Sequence, residues 1–429
     1  RGDIMNIRFY NGGIIVNNDK NIPEIIRGEL CVKNNLISYI GDEIQHDIKF
    51  DREINLDGNI ISGGFKNAHT HSPMTFLRSY ADDLPLDKWL NDKVFPLEKK
   101  LAPEHIYCFT KIAIMEYLTS GITSCFDMYF EPQAMADAAA DCGFRMVLCG
   151  EINNFTETPE KIDEYYNKFN SYNPLISYQL GFHAEYTSDI HILKSIAELS
   201  QKYKAPVFMH NSETAEEVKG CIRRHGMTPT VLFDSLGMFE YGGGGFHCIH
   251  MSENDMEIFR KKKLWAVTNP SSNLKLASGI APISEMLSEN INIAIGTDGS
   301  ASNNCLDMFR EMFLVTGLQK IKQKNAAACP AEKVLQMAVQ GGAEAMGLYD
   351  CNELRIGKKA DLIVIDMHMP NMQPVNNIVK NIVYSGSKIN IKMTMVNGEI
   401  LYENGQFFIG EKPEDIYRRA NDFVKDIIS

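Results

Sequence analysis

Two histidines, His69 and His71, stand one residue apart in the stretch GGFKNAHTHSPM. Side chains two apart on a β-strand point to the same side, so both imidazoles can meet one ion or one substrate. Three later runs end in residues that could join them, with His210 in VFMHNSET, His247 in GFHCIHM and Asp298 in IAIGTDGS. Imidazole and carboxylate together suit a divalent metal, zinc first and iron second. Glu213 follows His210 by three residues. It can reach the same space without ligating, as a group that moves a proton beside an activated water must.

Such residues need elements that aim them at one point. From about residue 61 to 350, apolar strand-like runs alternate with helical patterns. ITSCFDMYF is followed by PQAMADAAADCG, and LISYQLGFHAEYT by IHILKSIAELSQKY. Continuous apolar strands alternating with helices indicate parallel βα units. About eight of them are expected, which is an α/β fold of the (β/α)8 TIM-barrel type. Ligands then gather at the C-terminal strand ends, where His69, His71, His210, His247 and Asp298 fall.

The two chain ends read differently. Residues 5–60 and 351–410 hold short strand-like runs punctuated by Asn-Gly and Asp-Gly turns, such as REINLDGNIISGG and KMTMVNGEIL. They are expected to form one small β-sandwich built from both ends. Residues 411–429, with PEDIYRRANDFVKDII, have the apolar spacing of a helix. That helix could pack on its own barrel or on a neighbour, which leaves a homo-oligomer open. The segment from Met74 to Glu98, with Trp89, suits a lid over the mouth.

The bulk numbers exclude other classes. A net charge of -12 argues against nucleic acid or an anionic membrane as the main partner. Ten cysteines are scattered without a CxxC pair, so neither a disulfide framework nor a thiolate zinc site is expected, and a reducing cytoplasm fits. RGDIMNIRFYNGGIIV does not read as a signal peptide, and no apolar run is long enough for a membrane span. The run Gly242–Gly245 lacks the Lys-Ser/Thr of a phosphate loop and reads as a flexible approach to a strand. His250, three residues after His247, should face away from it.

The runs NAHTHSPMTFLRSYADDLPLDKWL, HNSET, FHCIHM, NPSSNLKLASGIAP, GTDGSASNN and GKKADLIVID together resemble the amidohydrolase superfamily. The chain is most similar to its S-adenosylhomocysteine/methylthioadenosine deaminase group, relatives of the triazine hydrolases, over nearly its whole length. The resemblance implies one divalent metal on His69, His71, His210 and Asp298, with His247, Glu213 and Asp298 taking part in catalysis. It implies substrate contacts from Glu98, in VFPLE, on the ribose hydroxyls, and from Arg145, His183 and Glu213. Asn269 and Asn273 would shape the pocket.

The implied reaction is hydrolytic deamination of an adenosine-type nucleoside, a small-molecule substrate: S-adenosylhomocysteine, 5′-methylthioadenosine, adenosine or 5′-deoxyadenosine. The alternative is another aminated or chlorinated heterocycle, such as guanine, cytosine or a triazine. No lysine ends the fourth strand, which favours one metal over two. The HxE and PCxxC signature of thiolate-zinc deaminases is absent. The chain departs from the family pattern at Glu185, where proline is common, and at Thr268, where histidine is common. An arginine often found after the third strand is missing from NNFTETPEK. These departures are expected around the 5′ substituent.

Overall fold

Short β-branched runs with tight turns open the chain as β1 (Asn6–Asn17), β2 (Pro23–Lys33), β3 (Leu36–Gly41), β4 (Arg52–Asn55) and β5 (Ile60–Gly63). The computed structural model describes residues 5–45, 47, 49–84 and 88–428. Eight parallel strands follow: β6 (Phe65–Thr70), β7 (Ile122–Met128), β8 (Arg145–Cys149), β9 (Ile176–Gly181), β10 (Val207–Asn211), β11 (Gly243–His247), β12 (Trp265–Thr268) and β13 (Asn292–Ile295). The chain then returns with β14 (Leu362–Ile365), β15 (Ile391–Val396), β16 (Glu399–Glu403) and β17 (Gln406–Phe407).

β6 to β13 pair in sequence order, each parallel to the next. Just beyond β13 the Asp298 amide donates to the His69 carbonyl at 3.0 Å, and the Thr297 amide to Asn67 Oδ1 at 2.8 Å. These bonds join the last strand to the first. Inside, Ala68, Phe126, Val147, Phe208, Phe246, Val267 and Ala294 meet in one buried cluster, each from a different strand. The interior is therefore a packed core, and only its upper end is free for chemistry.

Strand spacing around β11 depends on glycine. A Cβ on Gly243, at φ 123°, would lie 2.0 Å from the Val207 carbonyl oxygen. Gly243 to Gly245 are thus strand pressed against β10 and β12 rather than a flexible approach, while Gly242 before them has open space around it.

The β-sandwich expected from the chain ends takes the form of one continuously bonded sheet, β17-β16-β15-β14-β5-β1-β2-β3, with β4 beside β1. Phe9, Leu30, Ile61, Leu362 and Met395 give it a core of its own. The sheet takes the chain to Gly63, three residues past the expected boundary at 60, because Ile61 packs in that core. The helix Pro413–Ile428 packs back on the helix Pro103–Thr119 of its own barrel, with Phe423 against His105 at a ring separation of 4.6 Å.

The two bodies meet under the barrel floor. Asp361, just before β14, accepts from Arg145 Nε at 2.8 Å and Nη2 at 3.0 Å and lies 3.4 Å from Lys66 Nζ. All three side chains are buried. Burial opposes charge on Asp361, but Arg145 and Lys66 outweigh it and hold the carboxyl well below its ordinary range. Its stabilising contribution is therefore present above the ordinary carboxylate pKa and is lost only as the pH falls through the depressed value.

This placement corrects the expectation that Arg145 contacts substrate. Arg145 is the first residue of β8, so it sits at the N-terminal end of a parallel strand, opposite the mouth. Arg145→Met is expected to lower stability in urea unfolding by about 3 kcal/mol, as for one lost partner of a buried ion pair, with KM unchanged. A raised KM at unchanged stability would contradict this placement.

Candidate active site

At the upper end of the barrel, His69, His71 and His210 bring one ring nitrogen each to within 4.8 Å of one another, all buried. Alternation along β6 aims the first two inward, and β10 supplies the third. The outer nitrogens of two of them are fixed by backbone. His71 Nδ1 lies 2.5 Å from the Met128 carbonyl oxygen and His210 Nδ1 lies 2.8 Å from that of His183. Each Nδ1 must then carry the hydrogen, which leaves Nε2 with a lone pair turned inward.

Asp298 faces the same point. Its Oδ1 is 3.3 Å from His71 Nε2 and 3.8 Å from His69 Nε2, and its Oδ2 is 3.8 Å from His247 Nε2. Ser272 Oγ donates to Oδ2 at 2.6 Å, and the Gly299 amide donates to Oδ1 at 2.7 Å. Burial and the neighbouring imidazoles push His69 and His210 below their ordinary pKa, so both are neutral ligand-type bases. Burial also disfavours charge on His71, but Asp298 overrides it and lifts the pKa to about 9. The carboxylate therefore favours positive charge at that spot, whether from a proton or a cation.

Both ring nitrogens of His69 are buried with no hydrogen-bond partner among the described residues. The ring itself is held by stacking on Phe246 at 3.8 Å. A buried imidazole without a partner is costly, and a cation at Nε2 removes that cost. The donor set of three imidazoles and a carboxylate suits a divalent metal.

Glu213 and His247 stand beside this cluster, with Glu213 Oε2 3.9 Å from His247 Nε2. Glu213 is fixed by local helix chemistry. Thr214 caps the helix Ala215–His225 by accepting from the Glu217 amide at 3.1 Å, while the Glu217 carboxylate accepts from the amides of Ser212 and Glu213. Ser278 Oγ donates to Glu213 Oε1 at 3.1 Å. His247 Nδ1 lies 2.7 Å from Asn273 Oδ1, which sets the direction of Nε2. His247 and Asp298 both hold left-handed backbone, φ 71° and 62°, a strained state typical of functional positions.

One cavity joins His71, His210, Glu213, His247 and Asp298 to Glu98, Tyr129, Glu151 and His183. Tyr129, just past β7, donates to Glu98 Oε1 at 2.7 Å. Burial pushes Glu98 up to about 7. His183 Nδ1 lies 2.8 Å from Thr187 Oγ1, and burial followed by the charge of His71 pushes its pKa down to about 4. Trp89, Leu90 and Phe95 cover the cavity from the segment expected to form a lid. Residues 85–87 of that segment lie outside the described residues.

Two of the expected departures do not line this cavity. Glu185 is buried and turned outward, where it binds Arg224 Nε at 2.9 Å and lies 3.2 Å from His225. Its neighbour Tyr186 lines the cavity in its place. Thr268 is buried in a separate small void with Pro270 and Gln319. His250 donates to or accepts from nothing in the cavity; its Nε2 bonds the Ser278 carbonyl at 2.9 Å. Sequence reasoning misses Tyr129, Glu151, Tyr186 and Ser278. Tyr129 stands one residue past β7 and Glu151 two past β8, and that strand-end position is the signal they offer.

The Amidohydrolase family model matches residues 60–401, and the chain belongs to that family. It is 36% identical over 436 residues to the 5-methylthioadenosine/S-adenosylhomocysteine deaminase of Thermoanaerobacter pseudethanolicus, covering 98% of this chain and 100% of that one. It is 35% identical to the 5′-deoxyadenosine deaminase of Methanobrevibacter smithii, covering 92% and 94%. The crystal structure of an adenosine deaminase from Xanthomonas campestris with bound zinc superposes with a TM-score of 0.93 at 28% identity, covering 99% of this chain and 98% of that one.

The hydroxyl of Ser272 matters here only through Asp298. Ser272→Ala is expected to weaken metal retention about 10- to 100-fold in chelator competition, as loss of a ligand's own support does. Unchanged retention would show that Asp298 needs no such support.

Proposed function

We infer that this chain is a metal-dependent hydrolytic deaminase of adenosine-type nucleosides. The observation that carries the reading is the meeting, in one cavity, of a metal-type donor cluster, the Glu213–His247 pair and the Glu98–Tyr129 pair. The deaminase relatives, similar over nearly the full length, support it.

A divalent ion, with zinc as the best match to the imidazole-rich donors, would be held by His69, His71, His210 and Asp298 and would supply the Lewis acidity that makes water a nucleophile near neutral pH. The residues of the chain do the rest. Asp298 accepts the proton of the attacking water at Oδ2, the oxygen that Ser272 holds in place. His247, oriented by Asn273, directs Nε2 toward the attacking oxygen and stabilises charge there. Glu213 gives a proton to ring N1 beside carbon C6. Water adds at C6; Asp298 passes the proton it accepted to the amine, which leaves as ammonia, and the C6 hydroxyl proton returns to Glu213, so that the product is the inosine analogue.

Glu98 binds the ribose hydroxyls, and Tyr129 keeps one of its oxygens in position. His183 and Tyr186 form the side wall. Trp89 and Phe95 exclude water from above, which strengthens each polar contact in the cavity. All ten cysteines are free thiols, which suits the cytoplasm. Among the described residues no helix is long and apolar enough to cross a membrane.

Zinc-loaded protein is expected to release ammonia from at least one of adenosine, 5′-deoxyadenosine, 5′-methylthioadenosine and S-adenosylhomocysteine. Glu213→Gln should lower kcat by about 100-fold or more, as loss of a positioned proton donor does. Silence on all four substrates with metal bound would contradict the nucleoside reading and direct the panel to guanine, cytosine and triazines.

A further inference from the structure

The far wall of the cavity carries a feature that the reaction does not use. Glu151 stands two residues past β8 and lines the cavity beside Glu98 and Tyr129. Its Oε2 is buried and has no hydrogen-bond partner among the described residues. The side chains of Asn153, Phe155 and Thr156 do not reach it: Asn153 bonds the Glu151 carbonyl and the Phe155 amide instead. A desolvated carboxyl oxygen left without a partner is costly unless a ligand meets it.

The electrostatic setting is one-sided. Four acids line the cavity, Glu98, Glu151, Glu213 and Asp298, and among the described residues no lysine or arginine does. The nearest guanidinium by sequence, Arg145, is bound to Asp361 under the floor, and Arg224 is bound to Glu185 outside. Burial, then the carboxylates of Glu98 and Glu157, push Glu151 well above the ordinary range, and the charge of His71 offsets them only in part.

Glu213 lies just beyond β10 and His247 ends β11, while Tyr129 and Glu151 lie just beyond β7 and β8, across the mouth. On the deaminase reading, with the base at Glu213 and the ribose on Glu98, the 5′ end of the sugar is assigned to the wall that carries Glu151.

We propose that Glu151 is a specificity-determining residue that makes this cavity accept adenosine-type nucleosides with a neutral or positively charged 5′ substituent and reject those with a carboxylate there. The proposal rests on the deaminase reading above. A 5′ ammonium or hydroxyl donates to the unpartnered oxygen of Glu151. A 5′ carboxylate meets a wall of buried acids and, among the described residues, finds no lysine or arginine to pair with.

The test compares three substrates of nearly equal size: 5′-amino-5′-deoxyadenosine, 5′-deoxyadenosine and adenosine-5′-carboxylate. In the unaltered, zinc-loaded protein, kcat/KM for the amino compound should exceed that for the carboxylate by about 100-fold or more, the factor that such a charge difference converts to. Glu151→Gln should shrink that ratio by about tenfold or more. The ratio is internal to each preparation, so a loss of folded protein cancels, and the ranking in the unaltered protein needs no variant at all. A carboxylate turned over as well as the amino compound would overturn the proposal. So would a ratio that Glu151→Gln leaves unchanged. If none of the three is deaminated, the nucleoside reading itself fails and the proposal with it; turnover of 5′-deoxyadenosine with a flat ranking overturns the proposal alone.

Discussion

Asp298 is the residue on which the rest depends. Its amide joins the last barrel strand to the first through His69, and its carboxylate faces three imidazoles of the same mouth. Closing the barrel and assembling the site are therefore one event. A buried carboxylate is unfavourable unless positive charge lies beside it, from a proton on His71 or from a cation. The hydroxyl of Ser272 and the amide of Gly299 fix its two oxygens, yet they supply no charge. The site is built to hold a cation, and its stability and its chemistry share that requirement.

The two ends of the barrel divide the work. Below, Lys66, Arg145 and Asp361 form a closed, compensated ion cluster that ties the barrel to the outer sheet. Above, polar groups are left without partners among the described residues: both nitrogens of buried His69 and one oxygen of Glu151, while Ser278 holds one oxygen of Glu213. The floor carries stability and the mouth carries unsatisfied chemistry. Inserted between them is the packed layer of Phe126, Phe208, Phe246 and their neighbours, which keeps water from linking the two.

Much of this is legible in the sequence, for a physical reason. A parallel barrel strand is a continuous apolar run, so a histidine or aspartate at its end stands out against it. His69, His71, His210, His247 and Asp298 are all visible in that way, and the fold that gathers them follows from the alternation of strands with helices. Glu213 is suggested by its spacing from His210 but gains weight only in company, since an acid beside a helix start is ordinary, and Glu98 is visible only through resemblance. Arg145 misleads because a residue type does not say which end of a strand it occupies; it opens β8 rather than closing it. Glu185 misleads because an acid two residues past a pocket histidine can as well turn outward, and Arg224 on the next helix draws it there. Tyr129 and Glu151 leave no mark beyond position, and their value lies in each other's company, which only the folded chain brings together.

The claim that a divalent cation sits between Asp298 and the three histidines can be tested without any substrate. Crystals of the full chain grown with zinc would be measured on both sides of the zinc absorption edge. The account predicts one anomalous peak within bonding reach of the inner nitrogens of His69, His71 and His210 and of the Asp298 carboxylate. An empty cluster in zinc-saturated crystals, or a peak held by other residues while these four stay apart from it, would contradict it.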